Sequence, residues 1–121
     1  EISYIHSEAY AAGELKHGTI SLIEEGTLVI GSLTQNDVYE KTISNMVECK
    51  SRGAYLMGVT EYGKYDVEDQ CDFVVYIPKV DDHFIGSLAI IPLQLLGYYT
   101  SVAKGLDVDK PRNLAKSVTV E

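Results

Sequence analysis

Residues 27–33 read TLVIGSL, Thr27 to Leu33, a short apolar run rich in β-branched side chains, with Gly26 before it and the polar stretch Thr34 to Asp37 behind it. Bounded in this way, it reads as a buried strand. Beyond it, Val38, Ile43, Met46 and Val47 keep a helical period until Gly53, with Thr34 or Asn36 placed to cap the helix. Ala54 to Thr60 is a second strand, Glu61 to Asp72 an acidic, glycine-containing loop, and Phe73 to Ile77 a third strand that Pro78 ends. The longest helical pattern, His83 to Lys104, carries Ile85, Leu88, Ile91, Leu95, Leu96, Tyr99 and Val102 and is apolar almost all round. Burial on more than one side is expected for it, under the sheet and a neighbouring helix or under a partner subunit, with a kink at Pro92. Strand, helix, strand, strand, helix predicts an α/β layer structure with a mainly parallel sheet.

Upstream, Ile2, Ile5, Ala9 and Ala12 recur at three- and four-residue intervals, which predicts one face of a helix that Gly13 ends or hinges. Gly18 to Glu25 adds a short second helical piece. Glu1 has neither an N-cap nor a strand ahead of it, so the chain reads as starting inside an element. A length of 121 residues, 45% hydrophobic and 23% charged, is enough for one compact domain with a single core.

A formal net charge of -8 argues against nucleic acid, because binding to a phosphate backbone draws on clustered Lys and Arg. The same charge repels an anionic substrate, so a sugar-phosphate site has to concentrate local positive charge or take it from elsewhere. No apolar run approaches the roughly 20 residues that span a bilayer, and EISYIHSEAY lacks the basic and apolar regions of a secretory signal, so no membrane is expected. Cys49 and Cys71 are too few and too widely spaced for a zinc knuckle or a redox pair and read as reduced thiols, as suits the cytoplasm. His6 and Glu8 fall on different faces of the predicted first helix, and His83 beside Asp81 and Asp82 reads as a capping turn, so no metal site is expected. The nine tyrosines are read mainly as packing residues.

Two separated stretches, YIHSEAYAAGELKHG at Tyr4 to Gly18 and DVDKPRNLAKSVTVE at Asp107 to Glu121, carry a resemblance over nearly the whole chain. The chain resembles the C-terminal, sugar-isomerising half of the glutamine:fructose-6-phosphate aminotransferase (glucosamine-6-phosphate synthase) family. The resemblance implies a three-layer SIS (sugar isomerase), flavodoxin-like fold with a mainly parallel sheet, here lacking its first strand, since in that fold a strand and most of a helix come before Glu1. It implies that residues 1–106 are a second SIS subdomain and that 107–121 form a C-terminal tail closing over the isomerase site.

Residue by residue, the resemblance places the proton transfer between C1 and C2 of the sugar on Glu1, a task that suits a carboxylate whose pKa partial burial has raised. Without it, Glu1 is an ordinary glutamate of a first helical turn. His17 takes ring opening, for which an imidazole titrating near neutrality is suited, and otherwise reads as a helix-end histidine. Sixteen residues of unbroken helix cover about 24 Å, and the segment up to Gly13 alone about 18 Å, so Glu1 and His17 of one chain are not expected to meet at one sugar. His17 is therefore expected to enter the site of a second subunit, as the resemblance also implies. Lys116 matches the lysine that attacks or lines the open-chain carbonyl, a role that desolvation or nearby cations favour. Otherwise it is a solvated tail lysine. Ala115 offers its backbone carbonyl to a sugar hydroxyl, and Lys104, Lys110 and Arg112 raise the local positive potential or form a solvated cluster.

Phosphate-holding sugar-isomerase domains use a Ser/Thr- and Gly-rich loop after a strand. Here the turn Ser32-Leu33-Thr34-Gln35-Asn36-Asp37 has no glycine and sets Asp37 in the first helical turn, so this half is not expected to bind phosphate. The resemblance implies a homodimer in which fructose 6-phosphate, or the product glucosamine 6-phosphate, is held together with a preceding SIS domain. A glutaminase domain of the same protein supplies ammonia for hexosamine synthesis. No cofactor is implied, and the fragment alone is expected to be inactive. The alternative is a non-catalytic SIS module that senses phosphosugars in a regulator, which needs the phosphate loop and a DNA-binding extension absent from these residues.

Overall fold

A computed structural model describes residues 1–112. They divide into two compact units, one of Ala9–Pro92 and one of residues 1–8 with 93–112. In the first, β1 (Leu28–Leu33), β2 (Tyr55–Glu61) and β3 (Phe73–Ile77) form one parallel sheet in the order β1-β2-β3. Helix α1 (Tyr39–Lys50) is the crossover from β1 to β2, and α2 (Ile85–Ala103) follows β3 and continues into the second unit. The expected α/β architecture, with its three parallel strands, is the one observed.

The register pairs Val29 with Leu56, Gly31 with Gly58 and Leu33 with Thr60, so these residues share one face of the sheet. Leu33 and Leu56 there join Tyr39, Met46, Cys49, Ala54 and Val67 in the core. Tyr39, Ile43, Met46 and Cys49 lie at helical intervals, which turns one stripe of α1 onto the sheet. Gly31 permits that approach, since a Cβ in its place would run into Met46 Sδ. Met57 and Val59 on β2 are buried too, so the central strand reads as a continuous apolar run. Helix α1 ends as its sequence predicts. Gly53, at φ 95°, lets Ala54 N–H return to Cys49 O at 3.2 Å.

Neither Thr34 nor Asn36 caps α1. A 3₁₀ turn at Asn36–Val38 comes first, so Val38 stands in the cap position without a side-chain hydrogen bond. The two candidate caps are engaged elsewhere: Thr34 Oγ1 lies 3.2 Å from Ser32 Oγ, and Asn36 Oδ1 accepts from Lys64 Nζ at 2.7 Å.

The acidic segment before β3 is more ordered than a plain loop. It holds a 3₁₀ helix at Tyr65–Asp69 whose Val67 is fully buried. Asp72 then ties its end to the sheet, accepting from Leu56 N–H at 2.8 Å and Lys50 Nζ at 3.0 Å. The Leu56 N–H first, and then Lys50, hold the Asp72 carboxyl below the ordinary carboxylate range. A carboxyl whose folded pKa is depressed stabilises the fold above its unfolded pKa of about 3.9, and that contribution fades as the pH falls below it. Denaturation followed from pH 7 to 3 is expected to show that loss in the wild type. Asp72→Asn is expected to be less stable at neutral pH and to lose less over the same span.

Two helical expectations are corrected. Residues 1–11 form no helix; Tyr4 has φ 55°, and the first helical turns are 3₁₀, at Ala12–His17 and Thr19–Leu22. The stripe Ile2, Ile5, Ala9, Ala12 has the right period but buries none of its members, with Ile5 51% exposed, so no packing supports a helix there. On this irregular backbone His6 and Glu8 do not diverge but pair, Nε2 to Oε1, at 3.2 Å.

The second correction concerns α2, which was expected to be buried on several sides. Ile85, Ala89 and Ser101 are buried, whereas Ile90, Ile91, Leu95, Tyr98, Tyr99 and Val102 are exposed among the described residues. This helix is also long and apolar enough to cross a membrane, against the expectation that no run approached that length. Its Ser, Thr, Gly, Gln and Pro residues interrupt the apolar run in the sequence without adding a charge.

Candidate functional site

Glu1 lies in the unit of residues 1–8 with 93–112, and His17 in the unit of Ala9–Pro92. Ala115 and Lys116 lie outside the described residues. Because residues 1–11 are not helical, the span calculated for a helix between Glu1 and His17 no longer applies, and the placement of His17 in a second subunit rests on the resemblance alone. Glu1 is exposed, so the described residues do not supply the burial a carboxylate base would use.

His17 ends the 3₁₀ helix Ala12–His17, and the residues before it fix that helix. Leu15 packs against the core. Lys16 Nζ meets Glu48 Oε2 of α1 at 2.8 Å, and Arg52 Nη2 meets Glu48 Oε1 at 3.5 Å. The hydrogen bond from Lys16 holds the Glu48 carboxyl below its ordinary range. Gly18 follows at φ 143°, a conformation suited to glycine, and turns the chain away. The imidazole is left exposed on an anchored segment, open to a group from outside this unit.

Within the unit that holds Glu1 the structure brings together residues that the sequence did not pair. Asp107 Oδ1 accepts from the backbone N–H groups of Asp109 and Lys110, at 3.0 and 3.1 Å, which turns the chain after α2. Lys104 Nζ donates to Ser3 O at 2.6 Å. Arg112 N–H donates to Tyr4 Oη at 2.8 Å, and its guanidinium stands 3.9 Å from the centre of the Tyr4 ring. Arg112, read from the sequence as a source of positive potential, is thus engaged with an aromatic face. No spacing rule pairs positions 4 and 112, so Tyr4 carried no signal of this role.

A second polar cluster lies at the carboxyl ends of β1 and β2, where open parallel sheets bind ligands. Glu61 is 4% exposed and faces Lys64 Nζ at 3.4 Å. That ammonium also bonds Asn36 and lies 4.9 Å from the centre of the Tyr39 ring. Tyr39 Oη donates to both carboxylate oxygens of Asp66 at 3.3 Å, and burial, followed by the Asp66 charge, pushes its phenol up to about 12. Tyr76 Oη donates to Glu68 at 2.6 Å, and Tyr62 and Tyr65 stand against its ring. Three carboxylates, Glu61, Asp66 and Glu68, against the one ammonium of Lys64 leave this cluster no positive surplus for a phosphate. Cys49 and Cys71 are free thiols pushed up by burial, which keeps them protonated and unreactive.

Residues 1–104 match the SIS domain family. The chain is 59% identical over all 121 residues to "Glutamine--fructose-6-phosphate aminotransferase [isomerizing]" of Clostridium acetobutylicum. It is 48% identical over the same 121 residues to the protein of that name from Methanosarcina acetivorans. It spans 20% of the length of each of these curated relatives. Among solved structures it is similar to the C-terminal domain of glucosamine-fructose-6-phosphate aminotransferase from Francisella tularensis, with a TM-score of 0.79 and 36% identity over 92% of this chain and 32% of that one. The three-stranded parallel sheet, its α1 crossover and a match over 104 consecutive residues agree, and the chain belongs to the SIS domain family.

Proposed function

We propose that this chain is the second SIS half of a glutamine–fructose-6-phosphate aminotransferase, which makes glucosamine 6-phosphate from fructose 6-phosphate and ammonia released from glutamine. The observation that carries this reading is the 59% identity along the whole chain to a relative of that name. Glu1 moves the proton between C1 and C2, and His17 passes a proton to or from the ring oxygen. Lys116 acts at the open-chain carbonyl, and the Ala115 carbonyl accepts from a sugar hydroxyl. The site is completed by a homodimer in which His17 comes from the other subunit, as the resemblance implies. The phosphate is held by a preceding SIS domain, a division of labour supported by the self-paired cluster at the carboxyl ends of β1 and β2. The segment 107–121 closes over the site, no cofactor is used, and the free thiols suit the cytoplasm.

The full-length protein, supplied with fructose 6-phosphate and L-glutamine, is expected to release glucosamine 6-phosphate and glutamate in equal amounts. Hydrolysis of glutamine with no amino sugar formed at any substrate concentration would overturn the reading.

A further inference from the structure

We propose that the second half of α2, residues 93–103, is a docking surface for an apolar helix of the polypeptide that precedes Glu1; this rests on the reading above of the chain as one part of a longer protein. Leu95, Tyr98, Tyr99 and Val102 stand at i, i+3, i+4 and i+7 and therefore share one stripe of the helix. Among the described residues all four are exposed, between 43 and 63%. The one buried residue of this half is Ser101, whose hydroxyl donates back to Gly97 O at 2.7 Å. The usual order of a surface helix is inverted, with a hydroxyl inside and the large apolar and aromatic side chains outside. Four side chains at this spacing are the anchors by which a helix seats on a partner, and tyrosine supplies a large, rigid contact with a polar tip. Tyr98 and Tyr99 stand edge to face, 5.2 Å between ring centres, so the two rings form one continuous surface.

Charge and chain path select the occupant. Ile85–Ala103 contains no charged residue, so the stripe is matched by apolar side chains. It also lacks the Lys and Arg with which an interfacial helix holds a lipid surface. Lys104 Nζ donates to Ser3 O at 2.6 Å, which holds the first residues at the end of this helix, and residues 1–8 and 93–112 form one compact unit. A helix that leads into Glu1 therefore meets the stripe at the high local concentration of a tethered segment. A second copy of the chain has no such tether, and its formal net charge of -8 opposes its approach to another of the same charge. Polypeptide for the purpose is ample, since the chain spans 20% of the length of its curated relatives, and its likeness to part of a C-terminal domain favours an upstream position for the rest.

The test uses the full-length protein. Nitration by tetranitromethane, followed peptide by peptide by mass spectrometry, is expected to modify Tyr99 at least about 10-fold more slowly in the native protein than in the same protein unfolded in urea. An undiminished native rate would overturn the proposal. Replacing Tyr99 by the photoreactive p-benzoylphenylalanine then identifies what covers it. An adduct to a peptide upstream of Glu1, at the mass of a single polypeptide, is the expected result. An adduct at the mass of two polypeptides, one confined to residues 1–121, or none at all would overturn it. The nitration uses the wild type, so a replacement that misfolds at position 99 leaves that result standing, and the same replacement at Val102 decides the occupant. Neither measurement reads amino-sugar formation, so a protein that makes no glucosamine 6-phosphate would sink the proposed function without touching the docking surface, and an open stripe would do the reverse.

Discussion

Glu1→Gln in the full-length protein is expected to lower the rate of glucosamine 6-phosphate formation about 10²- to 10⁴-fold, the range supplied by a positioned general acid or base, while glutamine hydrolysis continues. Glutamine keeps the size and the hydrogen-bonding oxygen of the side chain but cannot take up a proton, so the loss isolates the proton transfer from any change in packing. His17→Ala is expected to show the same split, because ring opening precedes that transfer. The pair also tests the assembly. In a symmetric dimer whose sites each take Glu1 from one subunit and His17 from the other, mixing the two inactive variants restores about a quarter of the activity, since half of randomly paired dimers are mixed and each regains one of two sites. Product formation with isotope-labelled fructose 6-phosphate, before and after subunit exchange, measures both effects. Unchanged turnover in Glu1→Gln would remove Glu1 from the mechanism, and no recovery on exchange would return His17 to its own subunit.

Leu56→Ala is expected to destabilise the fold by about 2–5 kcal/mol, the cost of truncating a buried leucine in a core that cannot collapse onto the gap. Leu56 is fully buried on the central strand, with the β1 face and the α1 stripe in the same core cluster. Its backbone hydrogen bonds to Asp72 do not depend on the side chain, so the loss reads packing alone. A domain is held by only about 5–15 kcal/mol, so this single change consumes a large share. Leu28→Ala, at the start of β1 where the side chain is 47% exposed, is expected to move stability by no more than about 0.5 kcal/mol. Urea midpoints of the two variants check the contrast, and equal midpoints would show that β2 is not the centre of the core.

The three strands were legible because each is a short apolar run stopped by glycine, proline or polar residues, although only β2 is buried along nearly its whole length and β1 and β3 each leave an end exposed. Helix α1 was legible from the period of Val38, Ile43, Met46 and Val47 and from Gly53 after them, although only Ile43 and Met46 of these four pack on the core and Val38 and Val47 are exposed. The same rule failed at residues 1–11, where Ile2, Ile5, Ala9 and Ala12 have the period without a surface to cover. Period is a property of the chain, whereas burial depends on what lies opposite. It also failed for the caps of α1, because Asn36 and Thr34 found other partners and left Val38 in the cap position.

The site divides along the same line. Glu1, His17, Ala115 and Lys116 were proposed because the chain resembles a known family; read without that resemblance, they are a first-turn glutamate, a helix-end histidine and residues of a polar tail. Local sequence determined the strands and the α1 crossover. Tertiary structure alone decided that Arg112 lies over Tyr4, that Lys64 stands between Glu61 and Asn36, and that Asp72 closes on Leu56. Each of these contacts joins residues that are held by the course of the backbone and have no spacing in common. Hydrogen bonds and cation–ring contacts act over a few ångströms, and chain distance says nothing about which groups a fold will bring that close.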